Sequence, residues 1–591
     1  YYDLAFDDGA TTRTLHQDGV LVERVYRVRP KSLLIYKYGT LPGFVLPPAR
    51  LSPAASFDDG SVPGAVHIHT NRSDGRGTPE EVAAIAARAG LRFVVFTDHG
   101  DGMRTPDLPV YRSGVLCLDG VEISTTKGHM LALGLAESPF PLGGEPRDVL
   151  DDVHRLGGFG VAAHPDSPKA ELQWGDWTTP VDGLEIVNLD TSWRVVLAEP
   201  GWGSRRRLLV NLLAYPFRPS ETISRLIADR PALLARWRAM TTDRAVPLIA
   251  GGDAHARLEL GDREPRTTRV SLPVPGYEAV FRTLSLRLRP SRELSGDPIE
   301  DARLVLEAMR LGHGYLAIDA VMEQPSFIFS AANGAGAALA GDTLPVGGAT
   351  TFSLKTNAPP SFVTTVWRDA ERVSADSSKP ELTLVEPERE AVYRVEVRSA
   401  DERPWIISNP IYLRGRSRAP ALDARPVGRR RRSLFDGKDT GGWRTESAAQ
   451  SVVAFDATTS SGERALRMRW GLPRGMGPDQ YVALVTDVAG GLKGFDRLAF
   501  SARADRPMRL SVQLRTPGSQ EAGERWRRSV FIDTATSMPV VFFKEFVPVE
   551  PAAPDFDPVR VESVLFTVDT TNASPGSSGI IWLSDVTLQG P

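Results

Sequence analysis

The spacing of apolar positions divides the chain into three regimes. Residues 1–61 carry short, partly alternating runs, at 21–28 and 32–38, before Pro47, Pro48 and Pro53 interrupt any regular element. From 62 to about 320, brief apolar runs alternate with segments of helical period. Phe93-Val94-Val95-Phe96 is wholly apolar, which predicts a parallel strand buried on both faces. Residues 65–70 predict the strand before it. Between them Thr78-Pro79-Glu80-Glu81 reads as a helix start, with Thr78 as N-cap, Pro79 in the first turn and Glu81 closing a capping box. Val82, Ile85, Ala86 and Ala89 supply the apolar stripe, and Gly90 the residue past the helix end.

Further strands are predicted at 115–118, 121–123, 161–163, 184–187 and 246–250, and helices at 147–156, across 203–240 and at 301–311. This repetition predicts a closed or nearly closed, TIM-like barrel over 62–320. Beyond 320 the helical period disappears. Residues 321–415 predict a small Ig-like β-sandwich, and 434–591 a larger jelly-roll-like sandwich. Residues 416–433, with the basic run Arg429 to Arg432, read as a solvated Pro/Arg-rich linker.

Composition narrows the function classes. Gly (53) and Pro (46) are numerous, which fits turn-rich β modules. The net charge is −3, so a broadly basic nucleic-acid surface is not expected. No apolar run reaches the ~20 residues of a membrane span. A single cysteine, Cys117, excludes an intrachain disulfide and a Cys-rich zinc site, and its apolar strand predicts a buried thiol. The chain begins at Tyr1 rather than Met, and secretion or a periplasmic location is the expectation drawn from that.

The candidate chemistry lies in the histidines. Of nine, six fall at or just after predicted strand ends: His67, His69, His99, His129, His164 and His255. His67 and His69 are two apart on a strand, so their rings share a face, and Asp253 and His255 do likewise if their strand extends. Burying so many imidazoles and carboxylates without a cation would cost several kcal/mol per group. His16, His154 and His313 read as ordinary polar residues.

The motifs His67-Ile68-His69-Thr70, Ser73-Asp74-Gly75, Thr97-Asp98-His99, Glu122, Gly128-His129, Ala163-His164-Pro165 and Gly252-Asp253-Ala254-His255 together resemble the PHP (polymerase and histidinol phosphatase) superfamily. The resemblance implies an α/β fold, a distorted (β/α)7 barrel, with metal ligands at the strand ends. It implies one ion held by His67, His69, Glu122 and Asp253, a second by Glu122, His129 and His164, and a third by Asp74, His99 and His255. Two or three Zn, Mn or Fe ions suit such nitrogen and oxygen donors. It also implies hydrolysis by a metal-bridging hydroxide, with Glu122, Asp253 and His255 at the reacting centre. Residues 184–188, the Gly312-His313-Gly314-Tyr315 end and the β module from Thr350 resemble the carbaryl-hydrolase type within that superfamily. Gly100 stands where the superfamily often has Asn after its Thr-Asp-His motif.

Three divalent ions against Asp74, Glu122 and Asp253 leave an excess of three positive charges, which favours an anionic small-molecule ester. A phosphoesterase is therefore the first expectation, and a carboxylester or carbamate hydrolase the second. The alternative from another class is a non-catalytic binding protein. Asp98 is expected to orient a ligand or to cap its strand end, and Glu185 reads equally as a cleft-lining or an ordinary structural residue; Arg72, Arg76 and Lys127 stand near enough to grip a phosphate, but ordinary surface residues are the favoured reading of all three. Leu434-Phe435-Asp436-Gly437 and residues 581–586 resemble the first and last strands of carbohydrate-binding jelly rolls; Trp443, Trp470 and Trp526 could stack on sugar rings, although core positions are the favoured reading of indoles in a sandwich.

Overall fold

The computed structural model describes every residue except 1–11, 16–20, 25–45, 54, 242–243, 261–269, 375–377, 416–429, 461, 476–479, 518–523 and 550–555. The expectation for 32–38, the residue His16 and most of the 416–433 segment therefore lie outside the described residues.

Seven strands close on themselves. They are β1 (Val62–Ile68), β2 (Phe93–Phe96), β3 (Val115–Thr125), β4 (Gly128–Leu133), β5 (Phe159–Ala162), β6 (Gly183–Asn188) and β7 (Leu248–Ala254). Each pairs with the next, and β7 pairs with β1 to complete the ring. The regular (β/α)7, TIM-like barrel expected from the sequence is not what forms. Strand β4 runs antiparallel to both β3 and β5, and the described chain is predominantly strand with eight α-helices. No α-helix follows β2, β3 or β5 directly.

The physical reason lies in two places. Residues 115–118 and 121–123 are not two strands but one, β3, which turns through Thr126 and Lys127 into β4. A two-residue hairpin reverses direction and leaves no room for a crossover helix. The segment after β2 folds back as the short strand Val110–Arg112 instead of a helix.

Where helices do form, local chemistry explains them. Helix α1 (Pro79–Arg88) has the full capping box: Glu81 N–H donates to Thr78 Oγ1 and Thr78 N–H to Glu81 Oε2. Gly90 follows with φ +83°, a left-handed value that suits glycine. Helix α2 (Pro146–Arg155) follows β4. The long β6–β7 connection holds α3 (Leu189–Ala198), α4 (Trp202–Ala214), α5 (Pro219–Ser224) and α6 (Pro231–Met240). Helix α7 (Tyr277–Phe281) and α8 (Pro298–Leu311) complete the set.

The barrel continues into the next β module. Strand β8 (Ser285–Leu288) pairs with β1 and with β9 (Gly314–Ala317), and β9 pairs with Pro404–Ser408. One hydrophobic core runs from Val66 and Phe93 to Phe352, Tyr393 and Leu413, crossing the boundary expected at residue 320. The rings of Phe352 and Tyr393, 4.2 Å apart, join the two sheets of the small sandwich. The C-terminal module has its own core between two six-stranded sheets. Its first strand, Arg430–Phe435, pairs with Ser578–Gly590, so Arg430 to Arg432 belong to a sheet rather than to the solvated linker expected for them.

This module is fastened to α2. Arg509 is buried, its Nε donating to Asp152 Oδ2 at 2.6 Å and its Nη2 to Asp148 O at 2.7 Å, and Arg528 pairs with Asp148. Removing one partner of a buried pair leaves an uncompensated charge, typically costing about 3–5 kcal/mol. Arg509→Met should therefore lower stability by about that much in chemical denaturation. Arg527→Met, which breaks the more exposed pair with Glu145, should cost less, about 1 kcal/mol or below.

Candidate metal centre

All nine sequence-expected ligands converge at one end of the barrel. Strand β1 supplies His67 and His69, both without solvent exposure. Asp74 follows in the next loop, His99 follows β2, Glu122 sits in β3, His164 follows β5, and Asp253 and His255 come from β7 and its end. His129 lies at the start of β4. Because β4 is antiparallel, its beginning stands beside the end of β3, with His129 paired to Ser124. The reversal that breaks the expected alternation is what brings His129 to the same rim.

Glu122 occupies the middle. Its Oε1 lies 2.7 Å from His129 Nδ1 and 2.8 Å from His164 Nε2. Its Oε2 lies 3.1 Å from Nε2 of both His67 and His69, and 3.5 Å from His99 Nδ1. Asp253 Oδ1 is 3.5 Å from Nε2 of His67 and His69, and Asp74 Oδ2 is 3.2 Å from His255 Nε2 and 3.8 Å from His99 Nε2. The donor atoms fall into four overlapping groups, in which His69 joins Asp74, His99 and His255, while His99 also joins Glu122 and His129.

The donors fit metal ions. His69 Nε2 is buried and makes no hydrogen bond, although two carboxylate oxygens stand within 3.5 Å of it. Metal bonds of ~2.1 Å place neighbouring ligand atoms about 3.0–3.4 Å apart in octahedral or tetrahedral geometry, and the separations here, from 2.7 to 3.8 Å, bracket that span. Nitrogen and carboxylate oxygen donors without thiolate suit Zn, Mn or Fe.

Electrostatics point the same way. Burial alone would suppress the charge on His69, but the carboxylates of Asp253 and Glu122 overcome it and raise its pKa to about 9. His164 is likewise opposed by burial and raised to about 9 by Glu122. Burial favours neutral Glu122 and Asp253, yet the surrounding imidazoles hold both well below the usual carboxylate range. The cluster favours positive charge between its carboxylates, a role that divalent ions fill.

Several supports were not legible in the chain. Glu185, expected to line the cleft, instead orients a ligand: its Oε1 lies 2.7 Å from His67 Nδ1, and its Oε2 accepts the His164 N–H at 2.6 Å. A carboxylate behind a ligating histidine fixes the ring and raises its basicity. A Cβ at Gly251 would lie 1.8 Å from this carboxylate, so only glycine fits there. Asn188 caps α3 through Thr191 N–H and donates to both Glu185 and Asp253. Tyr277 donates to His69 O at 2.8 Å and accepts the N–H groups of Arg76 and Gly77. Asn188 carried a faint signal, as a cap residue before an unrecognised helix; Tyr277 carried none.

Asp98, expected to orient a ligand or to cap its strand end, is engaged by the loop after β1. It accepts from Thr70 N–H, Thr70 Oγ1 and Ser73 Oγ, tying together the segment between His69 and Asp74. His67, His164 and Asp253 have φ of +62°, +29° and +47°. Such conformations cost on the order of 1–3 kcal/mol each outside glycine and concentrate at functional sites.

Other expected residues stand apart. Arg72 pairs with Asp107 and lies 3.6 Å from Asp119, so it is engaged rather than free to grip a phosphate. Arg76 and Lys127 are exposed. His154 pairs with Asp182 and His313 with Asp342, away from the cluster, and Cys117 is a buried free thiol. Trp443, Trp470 and Trp526 are buried in the C-terminal core, which removes them as sugar platforms.

Beside Asp253 and His255 opens an apolar cleft of about 390 Å3, walled by α3 and α4. No helix among the described residues is long and apolar enough to cross a membrane.

Comparison with known proteins adds a relative. The chain is 31% identical over 139 residues to the uncharacterized protein MJ1587 of Methanocaldococcus jannaschii, spanning 21% of this chain and 80% of that protein. The chain belongs to the family of that protein. No protein-family model matches. Among solved structures, a family 11 carbohydrate-binding module of the cellulosomal cellulase Lic26A-Cel5E of Clostridium thermocellum is similar at 15% identity and a TM-score of 0.24, covering 27% of this chain and 95% of that one. A family 30 carbohydrate-binding module is similar at 14% identity and a TM-score of 0.22, covering 27% of this chain and 99% of that one.

Glu122→Gln keeps the shape but removes the charge shared among five histidines. It should lose at least one bound ion per chain by elemental analysis. His154→Gln, outside the cluster, should keep the full complement. Glu185→Gln should weaken metal affinity about 10–100-fold while leaving the stoichiometry attainable at saturation.

Proposed function

We propose that the chain is a metal-dependent hydrolase of ester bonds, with the barrel-end cluster as its reaction centre. The observation that carries this reading is the placement of Glu122, whose two oxygens face two different sets of histidines. That disposition suits a carboxylate shared between ions, and the ordered ligands support a place near the PHP superfamily. Divalent ions held there would supply Lewis acidity, activating water and drawing charge from the ester.

The residues of the chain hold and orient. His67 is fixed by Glu185, His69 by the Tyr277-anchored loop, and Asp253 by Asn188. Bound this way the donors need little rearrangement as charge develops, the condition under which electrostatic stabilisation is strongest. His255 and Asp253 border the apolar cleft, which supports a substrate whose reacting end lies beside them and whose apolar part lies against α3 and α4.

A phosphoester is the first substrate reading. A second reading, a carboxylester or carbamate, draws on two observations. Glu185 adds a fourth carboxylate and lowers the excess positive charge by one, and Arg72 is already paired. Carbohydrate contact by the C-terminal module is a separate reading, carried by its strand motifs; with the three indoles buried it would need another face.

Stripping the ions with a chelator should abolish turnover and lower thermal stability, and re-adding Zn, Mn or Fe should restore both. A panel of phosphomonoesters, phosphodiesters, carboxylesters and carbamates, assayed before and after stripping, separates the substrate readings. Equal turnover by stripped and reloaded protein would refute the hydrolase reading. Glu122→Gln should cut kcat/KM by about 100-fold or more, on the order of 3 kcal/mol in the transition state.

A further inference from the structure

Helix α4 exposes what a soluble helix normally covers. Its buried residues are Asn211 and Ala214. Trp202, Leu209, Leu212 and Leu213 are exposed by 84%, 56%, 60% and 41%, and Leu197 on α3 and Phe217 just beyond α4 add to the patch. Contiguous apolar surface of this kind marks an interaction site.

The charge of α4 itself is one-sided. Arg205, Arg206 and Arg207 are exposed on α4 and Arg218 follows it, while the nearest carboxylates of the α3 side, Asp190 and Glu199, are engaged by Arg194 and by the Ser204 hydroxyl. Trp202, Arg206, Leu209 and Leu213 succeed one another at four, three and four residues, so they form one stripe. A tryptophan, leucines and arginines on a common exposed face form the pattern of a helix lying in a lipid headgroup region, where aliphatic arms of arginine reach up to phosphates.

We propose that the α3–α4 face docks on an anionic lipid bilayer. Charge complementarity selects this occupant, since a basic apolar face fits an anionic interface better than a second copy of itself, which would oppose arginines to arginines. The cleft beside Asp253 and His255 is continuous with the patch, because Leu197, Leu209 and Leu212 belong to both. Docking goes beyond the hydrolase reading and does not depend on it.

The test is flotation of the full chain with vesicles of phosphatidylcholine, with and without phosphatidylglycerol. The chain should float with the anionic vesicles, much less with the neutral ones, and high salt should release it. Trp202→Ser/Leu213→Asp and Arg205→Glu/Arg206→Glu should each weaken binding by about tenfold or more, with metal content unchanged. None of these residues borders the metal centre. Trp202→Phe should retain binding. Failure of the wild type to bind anionic vesicles, or equal binding by wild type and both double variants, would overturn the proposal. So would a dimer, seen by light scattering, that the same variants dissociate, since the face would then be a self-association surface.

Discussion

The carboxylate of Glu122 is the constraint around which the barrel end is arranged. One fully buried anion faces imidazoles from β1, β4 and the ends of β2 and β5. Asp253, Glu185 and Asp74 add negative charge within the same few ångströms. A low-dielectric site tolerates such a collection only when protons or cations neutralise it. Much of the surrounding structure can be read as a means of holding these groups together: the antiparallel β4, the left-handed backbone at His67, His164 and Asp253, and the glycine at 251 pressed against Glu185.

The reversal at β4 shows how fold and site depend on each other. A barrel with a helix after every strand would carry β4 parallel to its neighbours, and the start of that strand would lie at the opposite rim. The β3–β4 hairpin gives up that regularity and places His129 Nδ1 within 2.7 Å of Glu122. Further out, the second sandwich rests its buried Arg509 on two carboxylates of α2. The scaffold of the candidate site and the C-terminal module thus share an electrostatic seam, although each has its own apolar core.

The walls of the site differ from its floor. Polar and charged donors cluster at the strand ends, while α3 and α4 turn leucines and a tryptophan toward an open cleft. On the proposed hydrolase reading, such a wall suits substrates that pair a polar reacting group with an apolar body. The same helices expose Leu197, Trp202, Leu209, Leu212 and Leu213.

The chain alone determined the candidate donor residues and the local starts. Histidine and carboxylate identity, their two-residue spacing in β1 and at Asp253 and His255, and the capping box at Thr78 and Glu81 act over a few residues, so they are readable without a fold. The strand β3 reads as two pieces in the sequence because Asp119 and Gly120 interrupt its apolar run, and the regular barrel expectation fails because it extends strand–helix alternation past the β3–β4 hairpin. What only the tertiary structure decided is the company each residue keeps. Glu185 meets His67 across 118 positions, Tyr277 meets His69 across 208, and Arg509 meets Asp152 across 357. Contacts of that separation are set by how strands close and modules dock, and no local pattern in the sequence encodes them.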